Sequence, residues 1–134
     1  MDLQTAVALH RAGRVGEAET AYRRALMEEP ANAQALSLLG MLLGQSGRVE
    51  EGISLLRHSI EIAPQAPELL NNYAVVLGAC GLHDEAAAML RQSLRLRPGQ
   101  QQALYNLGVA HERAGDLPLV ELRGTRTFIL GNEP

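Results

Sequence analysis

The residues with the most obvious chemical capacity are four histidines, one cysteine and a late run of arginines, and their spacing decides what they can do. His10, His58, His83 and His111 form no His-x-x-x-His pair and have no acidic partner at metal-ligand spacing, so they read as solvated or packing residues. Cys80 stands beside Gly81 with no basic group evident to lower its pKa, which makes it a small packing residue rather than a nucleophile. Arg91, Arg95 and Arg97 fall in the last two turns of an expected helix, where cations are favourable, and nearby acids dilute their field. No glycine-rich phosphate loop is present. The chain is expected to be no enzyme, with no catalytic residues, no cofactor and no metal.

The wider composition agrees. The 134 residues suit one small domain, and all 12 basic residues are Arg against 15 acids, so a net charge of −3 gives no electrostatic reason to expect nucleic acid. A single Cys excludes an intrachain disulfide framework. No apolar run is long enough to cross a bilayer, and Met1-Asp2-Leu3-Gln4 lacks the basic start of a signal peptide, so membrane insertion is not expected and a cytoplasmic location is.

What the sequence does show is a repeat. Gly13, Gly47, Gly81 and Gly115 are each 34 residues apart, and Pro30, Pro64 and Pro98 keep the same interval. Ala6, Gly40, Ala74 and Gly108 are small on the same beat; Leu9, Leu43 and Leu77 are large until His111 departs. Within a period the apolar residues return every three or four places, as in Leu70, Tyr73, Ala74 and Leu77, then Ala86, Met89, Leu90 and Leu94, which is helical spacing. Gly can supply the left-handed residue that ends the first helix, and Pro stops the second. The pattern predicts helices over 2–13, 16–28, 33–46, 49–62, 67–80, 83–96 and 101–114.

Over roughly 1–116 this pattern resembles the tetratricopeptide repeat family. Its signature of large, small and large residues is read in Leu39-Gly40 with Leu43, Tyr73-Ala74 with Leu77, and Leu107-Gly108; its turn Gly, small second-helix residue and closing Pro are read in Gly47, Gly52 and Pro64, and in Gly81, Ala86 and Pro98. The first unit, with Thr5 in place of a large residue, is a weaker copy. The resemblance implies an all-α, right-handed solenoid of antiparallel helix hairpins, with three near-complete repeats and the first helix of a fourth over 1–116, whose first helices line a concave wall. Residues 117–134 read as an irregular tail or a degenerate final helix. Pro118 is tolerable near a helix start, leaving a short helix over roughly 117–123 open, while Thr125 to Leu130 is β-prone.

Carried over residue by residue, the family's groove gives an apolar track of Val7, Met41, Val75 and Val109 with Asn72 and Asn106 beside it. An Asn amide offers a donor and an acceptor that match an extended peptide backbone; the alternative is that these amides bond to neighbouring helices. The residues expected to bind a partner are Met41, Asn72, Val75, Tyr105, Asn106 and Val109. Gly44 and Gly78 share a repeat position inside first helices and suggest close approach by a neighbouring helix or by a bound chain. A clamp for a chaperone's C-terminal carboxylate is not expected, since its basic positions are held by Leu3, Val7, Leu38, Glu68 and Asn72. The sequence therefore points to a protein–protein interaction scaffold holding a peptide or helix. Two other readings stay open: a substrate-presenting arm of a larger enzyme such as a transferase, and a module that self-associates into a homo-oligomer through its C-terminal end, where Leu104 and Leu107 are expected to be uncovered.

Overall fold

Each 34-residue period folds as two helices because its glycine and proline stop signals fall between stretches of helical periodicity. The computed structural model describes residues 2–115 and the backbone of 119–122 and 125–128. The helices are α1 (Leu3–Arg11), α2 (Val15–Glu28), α3 (Ala33–Gln45), α4 (Val49–Ile62), α5 (Pro67–Ala79), α6 (His83–Leu96) and α7 (Gln101–Ala114). They agree with the predicted ranges to within two residues at each end.

The hairpin turns repeat one hydrogen-bonded motif. Gly13, Gly47 and Gly81 adopt φ of 80°, 89° and 84°, a region that only Gly enters without strain. The next residue then donates its N–H back to the third-last helical carbonyl: Arg14 to Leu9, Arg48 to Leu43 and Leu82 to Leu77, at 2.8–2.9 Å. At the other end of the period, Glu29, Ala63 and Arg97 precede proline, and their φ values of −133°, −132° and −144° show the extended backbone that proline imposes on its predecessor. Asp2 and Asn32 cap α1 and α3 by accepting the N–H groups of Thr5 and Ala35. Pro67 opens α5, where its missing N–H is not needed.

The hairpins stack into an all-α solenoid whose core is distributed along the stack. One buried cluster joins Ala6, Ala18, Ala21 and Tyr22 to Leu39, Leu42 and Leu43; another joins Leu56, Tyr73, Ala74, Val76 and Leu77 to Ala86, Ala87, Leu90, Ala103, Leu107 and Ala110. Stability therefore rests on contacts between neighbouring units. Leu107 is buried rather than uncovered as the sequence suggested, because Ala103, Leu107 and Ala110 all turn inward from α7; Leu104 and Tyr105 remain exposed. An ion-pair network ties the first hairpin to the second: Arg23 meets Glu19 and Glu51, and Arg48 meets the same two acids, all at 2.9–3.0 Å.

Beyond α7, Leu119–Leu122 and Thr125–Phe128 pair as antiparallel strands with Leu119 opposite Phe128. The short helix left open over 117–123 gives way over 119–122 to a strand, and strand structure is formed within the β-prone Thr125–Leu130 stretch. The rest of the 117–134 tail lies outside the described residues.

Candidate peptide-binding face

The candidate face is built by the first helices of successive hairpins, α3, α5 and α7. Residues spaced by three and four along these helices share one face, so Leu70, Tyr73, Ala74 and Leu77 are buried together while Val75, off that stripe, is 43% exposed. Asn106 and Val109 of α7 are half-buried, and Tyr105 is 69% exposed.

Between α5 and α7 the wall opens into a pocket of about 270 Å³. Val75, Gly78 and Ala79 form one side, Asn106, Val109 and Arg113 the other; Ala74, Ala86, Leu90 and Ala110 close the bottom, with His83 at the edge. Among the described residues no carboxylate lines it. The pocket has an origin in the repeat. One unit earlier, Val76 of α5 fills the space over Gly44 of α3, so closely that a Cβ on Gly44 would lie 2.9 Å from Val76 Cγ1. The same pair one period later is Gly78 and Ala110. Here the valine has become alanine, and a Cβ built on Gly78 meets none of the described residues within 4 Å. The two glycines suggested close approach by a neighbouring helix or by a bound chain; a neighbouring helix comes close at Gly44, and among the described residues none does at Gly78.

Val75, Asn106 and Val109 are thus brought together in the pocket, whereas Met41, Asn72 and Tyr105 do not line it. Met41 is half-buried and packs on the second core cluster. Asn72 donates Nδ2–H to the buried Ser37 Oγ at 3.0 Å, so part of its hydrogen-bonding capacity serves the α3–α5 contact. Asn106 Oδ1 accepts from Gln102 Nε2 at 3.1 Å within α7. Gly78, Ala79 and Arg113 are groove positions by the family resemblance, whereas the sequence reading gave no binding role to His83 or Ala110; the Val76-to-Ala110 exchange at one repeat position was the available signal.

The remaining chemical candidates are absorbed into packing. His10 lies within hydrogen-bonding distance of the buried Tyr22 hydroxyl (3.0 Å) and of Gln45 Oε1 (3.2 Å), bridging α1, α2 and α3. Buried His111 takes the place of the repeat's leucine and faces Arg91 Nη2 at 3.0 Å. Arg97 pairs with Glu68 at 2.9 Å, so the late arginines do not act as one basic patch. Among the described residues no group of three or more His, Cys, Asp or Glu side chains could hold a metal ion, and no helix is long and apolar enough to cross a membrane. A larger hollow of about 620 Å³, lined by Leu9, Gly16, Thr20 and Ala21, lies on the first hairpin. Leu55, the repeat equivalent of Ala21, packs against the first core, so this hollow marks a face that the second hairpin covers with its predecessor.

A family model for the tetratricopeptide repeat matches residues 3–67 and 75–119. No curated protein matches the chain. Among solved structures, it is similar to a mutant O-GlcNAc transferase of Thermobaculum terrenum, with a TM-score of 0.77 and 34% identity over 81% of this chain and 21% of that one. It shares its fold with pilF of Pseudomonas aeruginosa, at a TM-score of 0.79 and 21% identity over 84% of this chain and 52% of that one. It also shares it with the first TPR of Spaghetti (RPAP3) bound to an HSP90 peptide, at a TM-score of 0.78 and 13% identity over 84% and 90% of the two chains. The chain thus spans 21% of the transferase it matches. With the helix pairs, the left-handed turn glycines and the stacked cores all following the same period, the chain belongs to the tetratricopeptide repeat family.

Proposed function

We propose that this chain is a protein–protein interaction scaffold that holds a peptide or helix of a partner on the face formed by α3, α5 and α7. The observation that carries the reading is the pocket between α5 and α7, which gathers Val75, Asn106 and Val109 from two repeats around an unfilled apolar space. An apolar hollow lined by exposed Val75, with Tyr105 also exposed on α7, is a feature that association with another polypeptide would cover. The peptide-bound TPR of Spaghetti shares the fold alone. A clamp for a C-terminal carboxylate is not part of this proposal, because Leu3, Val7 and Leu38 pack on the first core where such a clamp needs cations.

Affinity purification with the wild type and with a Val75→Glu, Asn106→Ala variant tests the proposal. A partner recovered by the wild type should be lost on the variant while its helical circular dichroism is unchanged. Equal recovery by both proteins would defeat the assignment of this face.

A second reading is favoured by one observation, the 34% identity to the O-GlcNAc transferase over 81% of this chain. In that reading the same face presents a protein substrate to a catalytic domain on the same polypeptide. A reading frame that continues into a transferase domain would support it, and one that ends after Pro134 would exclude it.

A further inference from the structure

We infer that the hollow between Gly78 and Ala110 is an anchor site for one aliphatic side chain of an extended peptide, with an acidic residue beside it in the peptide held by Arg113. The inference rests on the proposed peptide-binding function and specifies the peptide's chemistry. Three observations carry it.

The first is size. At about 270 Å³ the pocket lies below the range of roughly 300–1,000 Å³ usual for small-molecule sites, which suits a single side chain better than a cofactor. The second is chemistry. Ala74, Val75, Gly78, Ala79, Ala86, Leu90, Val109 and Ala110 supply an apolar lining, and the polar groups are the amide of Asn106, the imidazole of His83 and the guanidinium of Arg113. With a cation and, among the described residues, no carboxylate in the lining, the complementary ligand is apolar where it enters and anionic beside that point. Asn106 stands where it can serve the peptide backbone. The third is the internal comparison. Val76 stands over Gly44 in the preceding unit, so the fold accommodates a valine here, and Ala110 leaves vacant the volume that an incoming side chain can take.

The test begins with a randomised twelve-residue peptide library displayed on phage with its C-terminus fused, which removes any free terminal carboxylate. Selection on the wild type should yield sequences with Leu, Ile, Val or Met next to Asp or Glu. A selected peptide is then synthesised with both ends blocked and titrated by fluorescence anisotropy. Ala110→Val, which restores the valine of the earlier unit, should weaken it at least about tenfold, or some 1.4 kcal/mol. Gly78→Ala narrows the hollow from the opposite wall, with no heavy atom of the described residues within 4 Å of the added Cβ, and should weaken the peptide likewise if Ala110→Val fails to fold. Arg113→Gln should abolish the preference for Glu over Gln at the acidic position and leave the preference for the aliphatic residue.

If no peptide is selected, the binding proposal itself fails and the anchor with it. If selected peptides lose affinity on Val75→Glu, Asn106→Ala but bind Ala110→Val and Gly78→Ala as well as the wild type, the face stands and the anchor is overturned. Equal binding of Glu and Gln peptides to the wild type overturns the role of Arg113.

Discussion

One substitution, glycine to alanine, should have opposite effects at two helical positions of this solenoid. At Gly52 of α4 an added Cβ would lie 2.6 Å from the Gly40 carbonyl oxygen and 2.9 Å from the Gly44 nitrogen. These are backbone atoms of α3 and cannot swing aside, so the two helices must separate. Overpacking of this kind costs about 1–3 kcal/mol, against which the better helix propensity of Ala returns about 0.8–1 kcal/mol. Gly52→Ala should therefore lose up to about 2 kcal/mol. At Gly78 the same methyl meets no heavy atom of the described residues within 4 Å, and only the propensity gain of about 0.8–1 kcal/mol remains. The two variants should differ by about 1–3 kcal/mol, with Gly78→Ala the more stable. Circular dichroism at 222 nm reads this as urea midpoints, or as melting temperatures separated by about 3–6 °C per kcal/mol for a chain of this size. Equal midpoints, or a more stable Gly52→Ala, would refute both the close approach of α3 to α4 and the open space above Gly78.

Three further outcomes follow from the packing and the ion pairs. Leu56→Ala empties a fully buried site between units and should cost about 2–5 kcal/mol by chemical denaturation. Asn72→Ala leaves the buried Ser37 hydroxyl without its Asn72 donor and should cost about 1–3 kcal/mol, while Asn72→Ala combined with Ser37→Ala should recover part of that loss. Glu51 is held below the ordinary glutamate value of 4.5 by hydrogen bonding from Arg23 and then Arg48; Glu19, though raised by partial desolvation, is brought below it by the same arginines. A lowered folded-state pKa stabilises the fold above 4.5 and is lost as pH falls through the folded value, so Glu51→Gln should flatten the acid limb of a stability–pH curve below pH 4.5 and leave the limb above pH 6 parallel to wild type.

The helix pairs were legible because their signals are local. A glycine at φ near +80° and a proline that forces its predecessor into extended backbone act within a few residues, and both repeat on a fixed period. The close approach of α3 and α4 was legible for the same reason, as small residues at Gly40 and Gly52. The pocket was harder to read, since it depends on what is missing. Gly44 and Gly78 look equivalent in sequence, and only the pairing of each with a residue in the first helix of the next repeat, Val76 in one case and Ala110 in the other, separates a filled contact from an open one. Met41 and Asn72 were read as ligand-facing from position alone; the core beside Met41 and the hydroxyl of Ser37 compete for them. The tail carried no period at all, and over 119–122 the β propensity of its residues prevails over the continuation of the repeat.

The central claim is that the leading helices of neighbouring hairpins hold another polypeptide between them. Amide hydrogen exchange of the protein with and without a selected, end-blocked peptide tests it most directly. The account predicts added protection in α5 and α7 around Val75–Ala79 and Asn106–Arg113, with α2 and α4 unchanged. Protection confined to α2, α4 and α6, or to the hollow on the first hairpin, would contradict it.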